Sequence, residues 1–301
     1  MAINVIEKYL PIMVEAFNKA SITEPLLKNQ TVVDAAKGAK TFKYPVSTFG
    51  GYAPYNKTGN NAAAAFDLSW KDATFTQDRF AKIVIDAVDN EETMDVALNT
   101  AFGQSLKGAV QEVDAYRFYK LAEKAGTKDE TVVSAANIVS IVNNGIQAVI
   151  DNEGTASVIV INNKHYGKVL GSTELQKTFN VQTNTGAIDT RIASYNGIPV
   201  IFAPSKLMKK TLSLTSGSYF ANNDTAKDIN VIVADMSAFL AAAKVVIDRV
   251  FAPSTELAVA YGADGVYQDA VAWCIESRVY HDAWDMETME GKIFVNVEAD
   301  A

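Results

Sequence analysis

One short stretch of this chain constrains its fold more than any other, the segment PYNKTGNNAAAAFDLSW that runs from Pro54 to Trp70. Its first part is rich in Asn, Gly and Ala, and its last part is an extended run punctuated by aromatic residues. Long loops without regular structure are uncommon inside compact domains unless the loop has a function. The segment therefore predicts a functional loop near the start of the chain.

Two strand-like runs flank this segment, at residues 40–48 and 73–86, and Pro45 favours a sheet edge for the first. We expect them to form the two arms of an extended hairpin. An isolated hairpin is marginally stable in water, so aromatic side chains on it indicate that another surface, which we expect to be another subunit, covers them. The predicted contact residues are Phe49, Tyr52, Tyr55, Lys57, Phe66 and Trp70.

The rest of the pattern predicts an α+β protein. The strongest helix signal covers residues 91–125, where apolar residues recur at helical spacing and acidic residues precede the first turn. An alternating block follows, with helices at 133–152 and 164–170, strands at 157–162, 198–202 and 231–233, a polar loop at 172–190, and a helix or helix–strand element at 237–246. Apolar runs at 267–280 and 292–297 predict a closing hairpin.

Composition excludes several classes of protein. The chain has 301 residues, 49% of them apolar, which suits a sizeable core. Its net charge of −8 and its scattered basic residues argue against tight nucleic-acid binding. No window reaches the roughly 18 uncharged apolar residues of a membrane helix, and the first residues carry no export signal. Cys274 is the only cysteine, so no internal disulfide can form, and we expect an intracellular protein.

The sequence carries few signs of catalytic chemistry. Residues 35–41 lack glycines that a phosphate-binding loop requires, and neither a nucleophile elbow nor a dinucleotide fingerprint occurs. His281 lies in a strand-like context and His165 at a strand-to-helix junction, where capping is the simpler explanation. Cys274 lies in an apolar run, so we expect it to be a core residue. We therefore predict no catalytic, cofactor-binding or metal-binding residues.

Five stretches and their order resemble the major capsid protein of tailed bacteriophages, which has the Hong Kong 97-type fold. They are MAINVIEKY at the start, FTQDRF (Phe75 to Phe80), VQEVDAYRFYKLAEKAG (Val110 to Gly126), YNGIPVIFAPSKLM (Tyr195 to Met208) and ESRVYHDAWDMETMEGKIFV (Glu276 to Val295). The resemblance spans nearly the whole chain. It implies a shell protein without enzymatic activity.

The resemblance also implies names for the parts. Residues 1–45 are expected to form an N-terminal arm, 46–86 an extended loop, 87–132 with 247–301 a peripheral domain that contains a spine helix, and 133–246 an axial domain. The arm and the loop are expected to be mobile. Because the arm begins at Met1, we expect a separate scaffolding protein or none, and Lys57 is where a cross-linking lysine could lie.

The implied partners are further copies of the chain, arranged as pentamers and hexamers of an icosahedral virion shell assembled in the bacterial cytoplasm. Portal protein and scaffolding or decoration proteins are further expected partners, packaged DNA is contacted only weakly and non-specifically, and no membrane is involved. Two alternatives stay open at this point. One is an encapsulin-like compartment that encloses enzymes, and the other is a soluble enzyme with a pocket that no motif reveals.

Overall fold

The structure is a computed structural model, and it describes only part of the chain. The described residues are 21–23, 26, 41–55, 57–59, 61, 63–86, 96–172, 179–181, 192–214, 226–237, 239–251, 272–285 and 291–299. Most of the predicted N-terminal arm therefore lies outside the described residues. The strands form a two-stranded, a three-stranded and a seven-stranded sheet, with the helices packed against the latter two, so the α+β prediction is confirmed.

The first sheet is a hairpin of β1 (Thr41–Phe49) and β2 (Phe66–Thr74), paired antiparallel from Phe49 opposite Phe66 to Thr41 opposite Thr74. The first predicted arm, residues 40–48, agrees with β1. The second predicted arm, residues 73–86, is wrong because the returning strand is residues 66–74. The connecting segment therefore spans residues 50–65 rather than 49–72.

Residues Gln77–Asp86 form β3, which belongs to a different sheet. That sheet has the order β10, β11, β3, where β10 is Phe239–Phe251 and β11 is Ala272–Asp285, and both pairings are antiparallel. The chain thus changes sheet between β2 and β3. The element predicted at 237–246 as a helix or a helix–strand unit is a strand, because it pairs with β11 along almost its whole length.

The largest sheet has seven strands. They are β4 (Thr127–Asp129), β5 (Val158–Asn162), β6 (Phe179–Val181), β7 (Ile192–Tyr195), β8 (Ile198–Ala203), β9 (Ile229–Ala234) and β12 (Ile293–Val297), in the order β4, β12, β9, β5, β8, β7, β6. β6 falls within the segment predicted as a polar loop, so that prediction is wrong for residues 179–181. The predicted hairpin of 267–280 with 292–297 is also wrong. β12 is buried along its whole length between β4 and β9, as a continuous apolar run permits, whereas β11 lies in the three-stranded sheet.

Side chains alternate between two apolar cores on either face of this sheet. Val158 and Val160 face a cluster that includes Phe118 of the long helix α1 (Val96–Glu123). Ile159 and Ile161 face a second cluster that includes residues of helix α2 (Ile138–Asp151). A short helix, α3 (Tyr166–Leu170), follows β5 through a 3-10 turn. The seven-stranded sheet is therefore covered by helix on both faces.

Helix α1 agrees with the prediction of 91–125 over its described part, and residues 91–95 lie outside the described residues. At 1.5 Å per residue its length is about 42 Å. The side chains described in its first half are mostly exposed or half-buried, and its second half is largely buried and includes the charged residues Asp114 and Arg117.

Asp114 anchors the few described residues near the start of the chain. Its carboxylate accepts hydrogen bonds from Ser21 Oγ at 2.6 Å, from the Ile22 amide at 2.9 Å and from Thr23 Oγ1 at 2.5 Å. Arg117 Nη1 donates to the same Thr23 hydroxyl oxygen at 2.8 Å. Buried charges are stable in proteins when they are hydrogen-bonded in this way. The N-terminal segment is therefore fixed to α1 at residues 21–23.

Candidate subunit interface

The hairpin of β1 and β2 has two different faces, because side chains alternate across each strand. Its inner face carries Tyr44, Val46 and Ala73, which are buried against Leu240 and Ala242 of β10. This packing fixes the base of the hairpin to the three-stranded sheet of the same chain.

The outer face of the hairpin is apolar and exposed. Phe49 is 56% exposed, Phe66 66%, Leu68 50% and Trp70 59%. Phe49 lies opposite Phe66, and Pro45 opposite Trp70, so these side chains form one continuous stripe. Towards the base the same face becomes polar, with Lys43 Nζ 3.6 Å from an Asp72 carboxylate oxygen. We call Phe49, Phe66, Leu68 and Trp70 the outer stripe.

The connecting segment adds exposed aromatic side chains. Tyr52 is 97% exposed and Tyr55 is 80% exposed, and Lys57 is exposed as well. Tyr52 contacts the Phe49 ring edge-on, with the ring centroids 5.5 Å apart. All six residues predicted for the subunit contact are therefore exposed on the hairpin or its connecting segment.

Sequence reasoning missed Leu68, which belongs to the same stripe. Its signal was the period-2 spacing of Phe66, Leu68 and Trp70, which places all three side chains on one face of a strand. With aromatic side chains of about 150–250 Å², the exposed part of the outer stripe is about 400 Å². The largest apolar patch of a monomeric protein is about 300–600 Å² and is often functional.

Comparison with known proteins gives a clear result at the level of the fold. No family model and no curated protein matches the chain. Among solved structures, one titled "Mycobacterium phage Ogopogo" matches with a TM-score of 0.60 at 11% identity, covering 94% of this chain and 91% of that chain. The capsid structure of the cyanophage P-SCSP1u matches with a TM-score of 0.57 at 12% identity, covering 87% and 84%. The mature capsid of bacteriophage PhiM1 matches with a TM-score of 0.58 at 10% identity, covering 86% and 82%.

The chain has the fold of bacteriophage capsid proteins. The resemblance predicted from the sequence is thereby confirmed for the fold, over most of the chain's length. Within this capsid fold, the outer stripe brings four exposed apolar side chains together on one face of the hairpin.

His281 lies on β11 and faces α1, beside a cavity of about 370 Å³ that Arg79, Ser105 and Ser277 also line. Its Nε2 is 3.8 Å from Glu112 Oε1, which itself accepts a hydrogen bond from Arg79 Nε at 2.6 Å. Burial lowers the pKa of His281, so the imidazole is neutral at pH 7. The distance of 3.8 Å is too long for a hydrogen bond, so His281 and Glu112 do not form a hydrogen-bonded acid–base pair.

His165 ends the 3-10 turn after β5 and occupies the N-cap position of α3, as the sequence predicted, but its side chain makes no capping hydrogen bond there. The side chain of Asn162 accepts a hydrogen bond from the Lys164 amide and so caps the turn. His165 Nε2 is instead 2.8 Å from Asn230 Oδ1 on β9, and Asn230 donates to Asn296 on β12. This chain of side chains satisfies polar groups within the seven-stranded sheet.

Cys274 is buried in β11, and burial raises the pKa of its thiol, which is the behaviour of a core cysteine. Among the described residues, no group of three or more His, Cys, Asp or Glu side chains is placed to hold a metal ion. In the same part of the chain, no helix is long and apolar enough to cross a membrane.

Proposed function

We propose that this chain is the major capsid protein of a tailed bacteriophage. Copies of it assemble into the pentamers and hexamers of an icosahedral virion shell around packaged double-stranded DNA. The outer stripe carries this proposal, because an apolar hairpin face of about 400 Å² on a capsid fold is suited to contact a neighbouring copy. The protein acts by self-association rather than by catalysis.

The energy available from this contact is considerable. At about 25 cal/mol per Å², burying the outer stripe contributes up to about 10 kcal/mol per subunit before the costs of association. We propose that a different surface of the neighbouring subunit receives the stripe. Such a head-to-tail contact produces closed rings when the rotation between subunits closes, which suits pentamers and hexamers.

The proposed parts follow the capsid fold. The N-terminal arm is residues 1–45, and the extended loop is residues 46–86, of which β1, β2 and the segment between them make the projecting part. The peripheral domain combines 87–132, which contains α1 as the spine helix, with 247–301. The axial domain is residues 133–246. In the three-stranded sheet, β3 of the loop segment pairs directly with β11 of the peripheral domain, which supports a firm attachment of the loop to that domain.

The net charge of −8 supports a container that does not bind its contents tightly. A wall that carries few clustered basic residues contacts DNA phosphates weakly and non-specifically. We propose portal protein and scaffolding or decoration proteins as further partners, with assembly in the host cytoplasm.

Deletion of residues 54–65 tests whether the connecting segment, which carries Tyr55 and Lys57 of the predicted contact, contributes to assembly together with the outer stripe. Phe49 and Phe66 would still pair, and Gly50 to Ala53 would remain as a four-residue turn, a length that hairpins accept. We expect a folded subunit that forms no stable shells, measured by negative-stain electron microscopy and sedimentation. Ala64→Ser is the matched control, because it changes one exposed side chain of the same segment and keeps its length.

Circular dichroism and thermal melting would show that the deleted subunit is folded. Normal particles of normal stability from the deletion variant would contradict the proposed role of the segment. Wild-type protein that stays monomeric at high concentration, with and without the other head proteins, would contradict the capsid function as a whole.

A further inference from the structure

The link between the hairpin and the body of the subunit consists of Thr74, the last residue of β2, and the two residues that precede β3, Phe75 and Thr76. We call Thr74–Thr76 the linker. It leaves β2 of the hairpin and enters β3 of the three-stranded sheet. Three side chains on β11 reach this linker, Tyr280, Asp282 and Trp284, and their period-2 spacing places them on one face of the strand. We call these three side chains the linker clamp.

Each residue of the linker is hydrogen-bonded by a different member of the clamp. Trp284 Nε1 donates to the Thr74 carbonyl oxygen at 3.3 Å, and Tyr280 Oη donates to the Phe75 carbonyl oxygen at 3.0 Å. The backbone amide and the hydroxyl of Thr76 both donate to Asp282 Oδ2, at 2.8 and 2.7 Å. The backbone of the linker is therefore held at every residue.

The side chain of Phe75 is held as well. It is buried, it stacks on the Tyr280 ring at a centroid distance of 5.0 Å and 26°, and it meets the Trp284 ring edge-on at 5.0 Å and 86°. Such aromatic pairs contribute beyond their buried area. The same rings that bind the linker backbone thus also fix its central side chain.

Asp282 extends the clamp to the long helix. Its other oxygen, Oδ1, accepts a hydrogen bond from Tyr116 Oη on α1 at 2.8 Å and another from the Ala283 amide at 2.8 Å. Burial and the neighbouring carboxylate raise the pKa of Tyr116, which keeps the phenol protonated as a donor. One buried carboxylate therefore joins the hairpin linker, β11 and α1.

We propose that Asp282 is a positioning residue for assembly and that, with Tyr280 and Trp284, it sets the direction in which the hairpin leaves the subunit. The hairpin base then moves as one body with α1 and the three-stranded sheet, and mobility is confined to the part beyond the packed inner face. The direction of the hairpin matters because the outer stripe must meet a neighbouring copy. This last consequence rests on the proposed capsid function.

The test uses Asp282→Asn and Thr76→Val. Four donors converge on the Asp282 carboxylate, and an asparagine offers only one acceptor oxygen in its place. Thr76→Val keeps the shape and the backbone amide but removes the hydroxyl donor, and Thr76→Ser restores that donor. Asp78→Asn is the matched control. It removes the same charge as Asp282→Asn, but Asp78 lies on β3 at the surface, where it pairs with Arg278.

Spin labels at Ser47→Cys on β1 and Asp151→Cys at the end of α2, in a Cys274→Ala background, report the direction of the hairpin in unassembled subunits. We expect broader distance distributions for Asp282→Asn and Thr76→Val, and the wild-type distribution for Thr76→Ser and Asp78→Asn. Hydrogen exchange of the Thr76 amide should be about 5- to 30-fold faster in Asp282→Asn, the factor that a loss of one or two kcal/mol of local stability implies.

A folded Asp282→Asn subunit with the wild-type distance distribution would overturn the proposal, even if its melting temperature falls. If that variant does not fold, an unchanged distribution in Thr76→Val overturns it equally. Variants that have broadened distributions but assemble as well as the wild type would overturn the role in assembly. Wild-type protein that forms no particles would instead contradict the capsid function. The measured distances would then still test whether Asp282 sets the direction of the hairpin.

Discussion

Trp70→Ala separates a contact between subunits from packing within one subunit. Trp70 is 59% exposed on the outer stripe. For an aromatic side chain of about 200 Å², about 120 Å² faces solvent in the single subunit and is available to a neighbour. Covering that area contributes about 3 kcal/mol, at about 25 cal/mol per Å². The part already covered within the subunit is about 80 Å², which limits the loss in subunit stability to about 2 kcal/mol.

The assay compares assembly with folding. A loss of about 3 kcal/mol per contact raises the subunit concentration needed for assembly roughly a hundredfold, because each 1.4 kcal/mol is tenfold in affinity. Light scattering and analytical sedimentation measure that concentration, and chemical denaturation of the unassembled subunit measures the free energy of unfolding. We expect Trp70→Ala to raise the assembly concentration strongly while the unfolding transition shifts little.

Tyr44→Ala is the matched control on the same hairpin, because Tyr44 faces inward and is buried. It should cost about 3–5 kcal/mol of subunit stability, as core aromatic truncations do. Val132→Ala is a second control, since Val132 is exposed and distant from the hairpin in sequence. The reasoning is refuted if Trp70→Ala leaves the assembly concentration unchanged, or if it destabilises the subunit as much as Tyr44→Ala does.

Two further predictions concern the body of the subunit. Because burial lowers the pKa of His281, the unfolded chain takes up a proton near the ordinary value of 6.5 while the folded subunit keeps the imidazole neutral. Subunit stability is therefore complete above pH 6.5 and falls as the pH drops below it, and His281→Leu should flatten this pH dependence in denaturant titrations. Gly145→Ala on α2 brings a new Cβ to 2.6 Å from Phe294 Cδ1, so we expect a net loss of about 1–2 kcal/mol in thermal unfolding, although alanine favours helix by about 1 kcal/mol. Gly103→Ala, whose Cβ meets nothing within 4 Å, should instead be neutral or stabilising.

Local sequence patterns were sufficient to predict several of the strands and helices. Continuous apolar runs identified the interior strands β5 and β9, and helical periodicity identified α2 and the described part of α1. The exposure of the aromatic residues on the projecting segment was also predicted from the sequence, because side chains at alternate positions of a strand share one face.

The sequence did not reveal which strands pair. β10 contains Leu240 to Ala243, residues that suit a helix as well as a strand, and its pairing with β11 decided the outcome. β11 and β12 are separated by a short segment and yet lie in different sheets. Pairing depends on partners distant in the sequence, so neither result follows from local spacing.

The amino-acid sequence by itself determined that this chain carries an exposed, aromatic projecting segment and a long helix, since both depend on the spacing of neighbouring residues. Only the tertiary structure decided that β2 and β3 are separate strands. The break at Thr74–Thr76 exists because Tyr280, Asp282 and Trp284, some two hundred residues later, bind that linker. Contacts over such separations form only when the whole chain has folded, and they determine where the projecting segment begins.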